Sequence, residues 1–296
     1  MRMRFLMALA LAGALLAGGA SAEEKCKLGR FVTFPMAFDE AGAVTVPMTV
    51  AGQEQRLLID TGGVFSMLTE GSAKRLGLRP EMMHLQWMTM FGGRKLDHYV
   101  EAPLTIAGVT IKNRAFVLIP DDQMPASDDG ILAPDILAVF DVDFDFAASK
   151  LSLFSQDHCE GQVVYWTHDP YAVVPFKLDE GRHIKLQVTL DGKKVKAYLD
   201  TGASQSVMSL ESAADAFGLD AEVLKKAGGK YQFKTLSLEG VTVNNPNILL
   251  IPDDKSKVLG GYNEPELLIG IGILRRLHMY MAFKEHNLYV TPADAH

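Results

Sequence analysis

Two short stretches of this chain place a carboxylate directly after an apolar run and before a Thr-Gly pair. They are Leu57-Leu58-Ile59-Asp60-Thr61-Gly62-Gly63 and Ala197-Tyr198-Leu199-Asp200-Thr201-Gly202-Ala203. An Asp at the end of a buried strand sits where desolvation and neighbouring charge shift a pKa. The Gly that follows lets the backbone bend sharply and pass close to another backbone or a ligand. Two such carboxyls a few ångströms apart cannot both ionise, so they share one proton. The pair then holds both roles of acid–base hydrolysis: the carboxylate takes a proton from water, and the carboxylic acid gives one to a carbonyl oxygen. It titrates as a pair. Thr61 and Thr201 are placed to lock the two turns together through their hydroxyls.

A single Asp-Thr-Gly is three common residues and says little. Here both copies lie in register inside a longer duplication. Val44-Thr45-Val46-Pro47-Met48-Thr49-Val50 recurs as Ile184-Lys185-Leu186-Gln187-Val188-Thr189-Leu190, and Leu104-Thr105-Ile106 with Ala107-Gly108 recurs as Leu236-Ser237-Leu238 with Glu239-Gly240. Ile119-Pro120-Asp121-Asp122 recurs as Ile251-Pro252-Asp253-Asp254. Most segments are short and alternate apolar with polar residues, as antiparallel strands do, with Gly-containing turns between them. One short helix per half is legible: Thr69 caps residues 70–76 before Gly77, and Ser209 caps residues 210–217 before Gly218. The polar stretch at residues 155–161 separates the halves, giving an N-terminal lobe of residues 23–158 and a C-terminal lobe of residues 159–296.

The paired Asp-Thr-Gly stretches inside duplicated halves resemble the two-lobed aspartic peptidases of the pepsin and retropepsin group, in the form of a bacterial exported retropepsin-like chain. The resemblance covers roughly residues 31–292. It implies a mostly β fold of two homologous β-barrel-like lobes with a cleft between them. It makes Asp60 and Asp200 the catalytic pair, supported by Thr61, Gly62, Thr201 and Gly202, with no cofactor. It implies an apolar pair, a Gly and a short helix late in each lobe. The second lobe has these as Leu268-Ile269-Gly270-Ile271, and the first as Ile131-Leu132-Ala133-Pro134, with Ala133 in the Gly position. The first lobe is longer around Trp87-Met88-Thr89-Met90-Phe91-Gly92-Gly93, which reads as a hairpin with Gly92-Gly93 at its tip. The resemblance makes this hairpin a flap over the cleft, with Trp87, Met88, Met90, Gly92 and Gly93 on substrate; the plainer reading is a surface hairpin with a Met-rich inner face. After each Gly, pepsins usually carry Ser or Thr and retropepsins Ala. Here Gly63 and Ala203 supply no hydroxyl to the carboxylates, so the pair should titrate higher than in pepsin. Two complete repeats imply a monomer with an intramolecular site, and the start of the first repeat near Phe31 leads us to expect no long activation segment.

The rest of the chain bounds this reading. Residues 1–22 have a basic head with Arg2 and Arg4, an apolar run too short to span a membrane, and a small-residue cleavage site at Ala20-Ser21-Ala22. They are read as a signal peptide of an exported, periplasmic or secreted protein. The chain has 296 residues, 48% of them hydrophobic, enough for a packed core. Its formal net charge of −7 becomes more negative on cleavage, which removes Arg2 and Arg4 and no acid. With no basic patch interleaved with aromatics, nucleic acid is not an expected partner. The two cysteines, Cys26 and Cys159, flank the first repeat and are expected to pair in an oxidising compartment. No metal-ligand spacing occurs, and no metal is expected. Asp141, Asp143 and Asp145 alternate with Val142, Phe144 and Phe146 and lack the Gly and Glu of a calcium loop, so they are expected to face solvent on a strand. The expected partner is a peptide or unfolded protein. A catalytically silent peptide-binding module or a structural protein of the cell envelope would carry the same fold.

Overall fold

The computed structural model describes residues 27–39, 42–85, 88–252 and 267–295. Residues 1–22, expected to be a signal peptide, together with Cys26, Trp87 and Asp253-Asp254, lie outside the described residues.

Each lobe is built on one hairpin that delivers its Asp. In the first, Val44–Val50 turns into Gln53–Ile59 through Ala51 and Gly52, at φ of 50° and 77°. In the second, Ile184–Leu190 turns into Lys193–Leu199 through Asp191 and Gly192, at φ of 44° and 80°. Left-handed backbone at both central residues matches the twist of the flanking strands, which is why such turns close two-residue hairpins. Alternation buries Val44, Val46, Met48 and Val50 in one core.

A short strand then inserts beside the end of each hairpin. Gly130–Leu132 runs parallel to Gln53–Ile59 and antiparallel to Met67–Thr69. Leu267–Ile269 does the same with Lys193–Leu199 and Ser206–Ser209. Met67–Thr69 continues parallel to Val109–Ile119, and Ser206–Ser209 parallel to Ile248–Ile251. Each lobe closes when a later strand returns to the first hairpin. His98–Ile106 meets Val44–Val50 at Thr49↔Thr105, and Thr235–Leu238 meets Ile184–Leu190 at Thr189↔Ser237. The halves differ where one long strand, Val109–Ile119, has as its counterpart two short ones, Val241–Asn244 and Ile248–Ile251. Asn245 at φ 48° and Pro246, which has no N–H to pair, break the ladder there.

The expected helices form. Thr69 Oγ1 accepts the Ser72 N–H at 3.1 Å and caps Glu70–Arg75; Ser209 Oγ accepts the Ser212 N–H at 3.0 Å and caps Leu210–Phe217, which Gly218 ends at φ 65°. One short helix or two per lobe were expected; the second lobe also has Ala221–Lys226, which Asp220 caps by accepting the N–H groups of Glu222 and Val223. Among the described residues no helix is long and apolar enough to cross a membrane.

The lobes are joined by six antiparallel strands in the order Arg30–Pro35, Lys150–Phe154, Asp141–Asp145, Leu277–Ala282, Asn287–Pro292 and Ala172–Leu178. Here the expectation for Asp141 and Asp143 is corrected. Both are buried, at 0% and 1% exposure. Their strand is central in this joining sheet, and the loop carrying His158, Tyr165 and Trp166 covers the face that alternation had assigned to water. Asp141 accepts from His158 Nε2 at 2.5 Å, from the Phe283 N–H at 3.0 Å and from the Tyr280 hydroxyl at 3.3 Å. Asp143 accepts from the Tyr165 hydroxyl at 2.6 Å and is paired with His278 Nε2 at 2.8 Å; Trp166 stacks on His278. A buried carboxylate persists when hydrogen bonds of this kind replace water. Asp145, with partial exposure, is the one of the three that reaches the surface.

Candidate active site

The inserted strand positions each Asp. The Asp60 N–H donates to the Leu132 carbonyl at 3.0 Å, and the Asp200 N–H donates to the Ile269 carbonyl at 3.0 Å. The chain then turns at Thr-Gly in both lobes, and the two turns grip each other. The Thr61 hydroxyl donates to the Leu199 carbonyl at 2.9 Å and accepts the Thr201 N–H at 3.1 Å. The Thr201 hydroxyl donates to the Ile59 carbonyl at 2.6 Å and accepts the Thr61 N–H at 3.1 Å. All four bonds are buried and all four cross between lobes, so the lobes cannot shift locally without breaking them.

The glycines set the approach of the carboxylates. A Cβ on Gly62 would lie 2.4 Å from Asp200 Cγ, and one on Gly202 would lie 2.6 Å from Asp60 Cγ. Each motif's glycine is thus the floor on which the other motif's carboxylate rests, and no other residue fits. Asp60 Oδ1 accepts the Gly62 N–H at 2.9 Å; Asp200 Oδ1 accepts the N–H groups of Gly202 and Ala203 at 2.9 and 3.0 Å. Each carboxyl also acts on the other. Burial pushes both carboxyls above the ordinary Asp value. For Asp60 the N–H of Gly62 and the hydrogen bond from Asp200 oppose that rise. For Asp200 the charge of Asp60 adds to it, and its pKa ends well above the usual range. The two therefore titrate as one pair that holds a proton to higher pH than a free Asp does.

Two residues that stood out in the sequence, Gly63 and Ala133, prove to be one exchange. In the second lobe Ala203 faces Gly270, whose absent Cβ would lie 2.6 Å from the Ala203 carbonyl oxygen, and the Ile271 N–H ties down that oxygen at 2.8 Å. In the first lobe the residue at the Ile271 position is Pro134, which has no N–H to give. The turn is released from that tie and Ala133 fits beneath it, provided the residue above is Gly: a Cβ on Gly63 would lie 3.3 Å from Ala133 Cβ and 2.9 Å from Asp60 Oδ2. Gly63→Ser should therefore displace the Asp60 carboxylate and lower kcat/KM roughly tenfold or more, since sub-ångström misplacement of a reacting group is costly. Adding Ala133→Gly should recover part of the loss. Steady-state kinetics on a soluble peptide checks this; a gain in activity from Gly63→Ser alone would refute it.

The hairpin expected around Gly92-Gly93 is present as Thr89–Phe91 and Arg94–Leu96, with φ of 54° and 78° at the two glycines. Met88 and Phe91 pack against buried Leu58, Met67 and Ile131, and Met90 is 62% exposed. The hairpin is moored to the turn at Asp121–Gln123. Arg94 makes a two-pronged pair with Asp122 at 3.0 and 2.8 Å, and a Cβ on Gly92 would overlap the Gln123 side chain. On the other lobe a cavity of about 470 Å³ opens beside the second motif, with Gln205, Ser206, Lys230, Tyr231, Gln232 and Asn247 among its lining residues. Its wall is mixed, with Ile248 and Leu249 beside these polar residues, and it was not legible in the sequence. Sequence reasoning also passed over His183, whose Nδ1 lies 3.0 Å from Asp179 and whose ring meets Tyr198 edge-on. The signal was available, because the duplication sets His183 against Ala43 in an otherwise similar stretch.

Comparison with known proteins agrees with this geometry. A family model described as aspartyl protease matches the chain twice, over residues 46–135 and 186–271, one match in each lobe. No curated protein matches the sequence. Among solved structures, basic 7S globulin from soybean is similar in fold, with a TM-score of 0.57 at 11% identity, over 91% of this chain and 96% of that one. At that identity the likeness concerns the fold alone, a pepsin-like pair of lobes. The family matches span more than half of the chain and take in both Asp-Thr-Gly turns with the strands that carry them, and on that ground the chain belongs to the aspartyl protease family.

Proposed function

We propose that the protein is an aspartic endopeptidase that hydrolyses peptide bonds with a water activated between Asp60 and Asp200. The observation that carries this is the pair of carboxyls, one from each lobe, each resting on the other motif's glycine and each raised by burial. Asp60 takes a proton from the water as its oxygen attacks the scissile carbonyl carbon, and Asp200 gives its proton to the carbonyl oxygen. The tetrahedral diol collapses as Asp60 gives its new proton to the leaving nitrogen and one hydroxyl returns its proton to Asp200; the C–N bond breaks, and the pair ends with one proton as it began. A peptide lying extended beneath the hairpin at Gly92-Gly93 could pair main chain to main chain, and the cavity beside Gln205, with its mixed wall, could take one of its side chains.

The same reading makes the protein an exported monomer, periplasmic or secreted, that acts on peptides or unfolded proteins. Support comes from the signal-like residues 1–22 and from the presence of both carboxylates in one chain. A mixed peptide library incubated with wild type and with Asp60→Asn from acid to neutral pH, read by mass spectrometry, tests the activity. Cleavage that persists in the variant, or none in wild type, would reject it. The solution mass of the same material tests the monomer.

We further propose that Cys26 pairs with Cys159 and closes the first lobe. On the chain-entropy view a loop of this length stabilises by roughly 5 kcal/mol, with measured values often lower. Thiol titration of exported, denatured protein should find no free thiol; two would count against the bridge.

A further inference from the structure

We propose that the cavity beside Gln205 is a specificity subsite that takes an acidic side chain of the peptide substrate, with Lys230 as the counter-ion that sets the preference. This deepens the peptidase reading above and rests on it, but the binding of acidic peptides is measurable without turnover.

The strand register shows what the cavity replaces. In the first lobe Val117 pairs with Met67 on one side and with Tyr99 on the other. In the second lobe Leu249 pairs with Val207 on one side and with Lys230 on the other. Met67 and Val207 hold the same place after Asp60 and Asp200, so Lys230 stands where the first lobe has Tyr99. By the same count from each Asp, Gln205 stands where the first lobe has Phe65. There both rings, Phe65 and Tyr99, pack against an apolar cluster that holds Met67, Val117 and Ile131. In the second lobe the two places carry a carboxamide and an ammonium, and a cavity of about 470 Å³ opens, within the size range of ligand pockets.

The cavity is built outward from the catalytic turn. Gln205 and Ser206 follow the second Asp-Thr-Gly closely. The Ser206 hydroxyl accepts the Gly270 N–H at 3.0 Å, and the neighbouring Ile269 carbonyl accepts the Asp200 N–H at 3.0 Å, so one short segment ties down both the carboxylate and this part of the wall. The part that carries Lys230 is fixed as well. Gly229, at φ 73°, lies against the strand Ile248–Ile251: its carbonyl accepts the Leu250 N–H at 3.0 Å, and a Cβ on it would overlap the Leu250 carbonyl oxygen. Only glycine fits that contact, and it delivers Lys230 to its bridge with Leu249. The chain from Asp200 to Gln205 spans at most about 17 Å, so the cavity meets a peptide residue within about five positions of the scissile bond.

The lining selects by charge. Among the described residues Lys230 is the one ionic group that lines the cavity, and it makes no ion pair there. Glu211 and Glu222, on the two helices that precede it, lie instead at 3.7 and 3.4 Å from Lys225. Gln205, Gln232 and Asn247 bring carboxamides, and Ile248 and Leu249 bring aliphatic surface. A glutamate side chain matches that mixture: its methylenes lie on the aliphatic part, its carboxylate takes the ammonium, and the amide N–H groups satisfy its remaining lone pairs. A lysine or arginine of the peptide would meet like charge and is disfavoured. The two lobes thus differ in kind beside their motifs, with rings and methionines in the first and a polar, cationic recess in the second.

The test uses the full chain and peptides that differ at one position, carrying Glu, Gln or Lys, scanned over about five residues on each side of a cleaved bond. At one of these positions wild type should show a kcat/KM for Glu about three- to tenfold above that for Gln, and the ratio should shrink as salt screens the pair. Lys230→Met should bring the ratio to about one, and Lys230→Glu should turn the preference to Lys at the same position. Both variants should fold, because Lys230 is exposed and Gly229 is kept; urea unfolding verifies it. Binding of the same peptides to Asp60→Asn, with and without Lys230→Met, is followed by fluorescence anisotropy. Glu-selective binding that Lys230→Met abolishes, in a protein whose wild type cleaves nothing, would reject the peptidase reading and support the acidic subsite. Cleavage with no preference for Glu at any position, or with a preference that Lys230→Met leaves intact, would overturn the subsite and keep the peptidase. Neither cleavage nor binding would overturn both.

Discussion

Asp60→Asn and Asp200→Asn should each lower kcat/KM by about 100-fold or more, and the double variant should be little worse than either. In the proposed mechanism the two carboxyls share one proton, so neither half of the pair works alone, and residues acting as one unit are not additive. Asn keeps the shape of Asp, so the glycine floors at Gly62 and Gly202 should still fit and the lobes should stay packed. Stability should change in a direction opposite to activity. Burial and the Asp60 charge raise Asp200 well above its ordinary value of 3.8. A carboxyl raised in the folded state stabilises folding most below its unfolded pKa, and that contribution is lost as pH climbs through the folded value. Wild type should therefore lose stability from about pH 4 upward into the raised range, whereas Asp200→Asn has no such group and should show a flatter profile there, with equal or greater stability at neutral pH. Urea unfolding from pH 4 to 7, beside rates on a soluble peptide, measures both. A single variant that keeps more than about a tenth of the activity would falsify the shared-proton mechanism, because losing a required acid–base partner typically costs far more.

Much of this site was legible in the sequence because it is written twice. The register of the duplication fixed which strands correspond, and the cross-lobe use of Thr61 and Thr201 follows once the two turns are brought together. The caps at Thr69 and Ser209 were legible because capping is local chemistry. What escaped was whatever depends on a distant segment. Alternation in Asp141–Asp145 correctly put the acids and the aromatics on opposite faces, but it could not show that residues 156–166 fold over the acid face. Gly63 and Ala133 read as two separate departures because they are far apart in the chain; they meet only when Gly130–Leu132 slides in beside the end of the first hairpin. Pro134 is the clue that links them, since it removes the hydrogen bond that holds the second lobe's turn down.

Thr201→Val should destabilise the protein by about 2–5 kcal/mol and slow it strongly, although Val has nearly the same shape. The Thr201 hydroxyl accepts the Thr61 N–H and donates to the Ile59 carbonyl, and both bonds are buried. Val leaves that N–H without its acceptor and takes a donor from that carbonyl. A buried polar group left unmade costs about 1–3 kcal/mol, and two such losses give the range above. That is a large share of the roughly 5–15 kcal/mol by which a folded domain is stable. The effect on rate has a different origin. The same bonds fix the spacing of the two turns, and with it the contact between Asp60 and Asp200; an ångström of play there costs on the order of 100-fold. Thr201→Ser keeps the hydroxyl and loses only a methyl, so it should retain most of both stability and activity. Thr61→Val should behave like Thr201→Val, and the double variant should lose much less than the two losses added, because either change already breaks the mutual grip. Urea midpoints and single-turnover rates for the four variants make the comparison. Strict additivity, or a Val variant as stable as wild type, would mean that the lobes are held together elsewhere, and the joining sheet around Asp141–Asp145 would be the place to look.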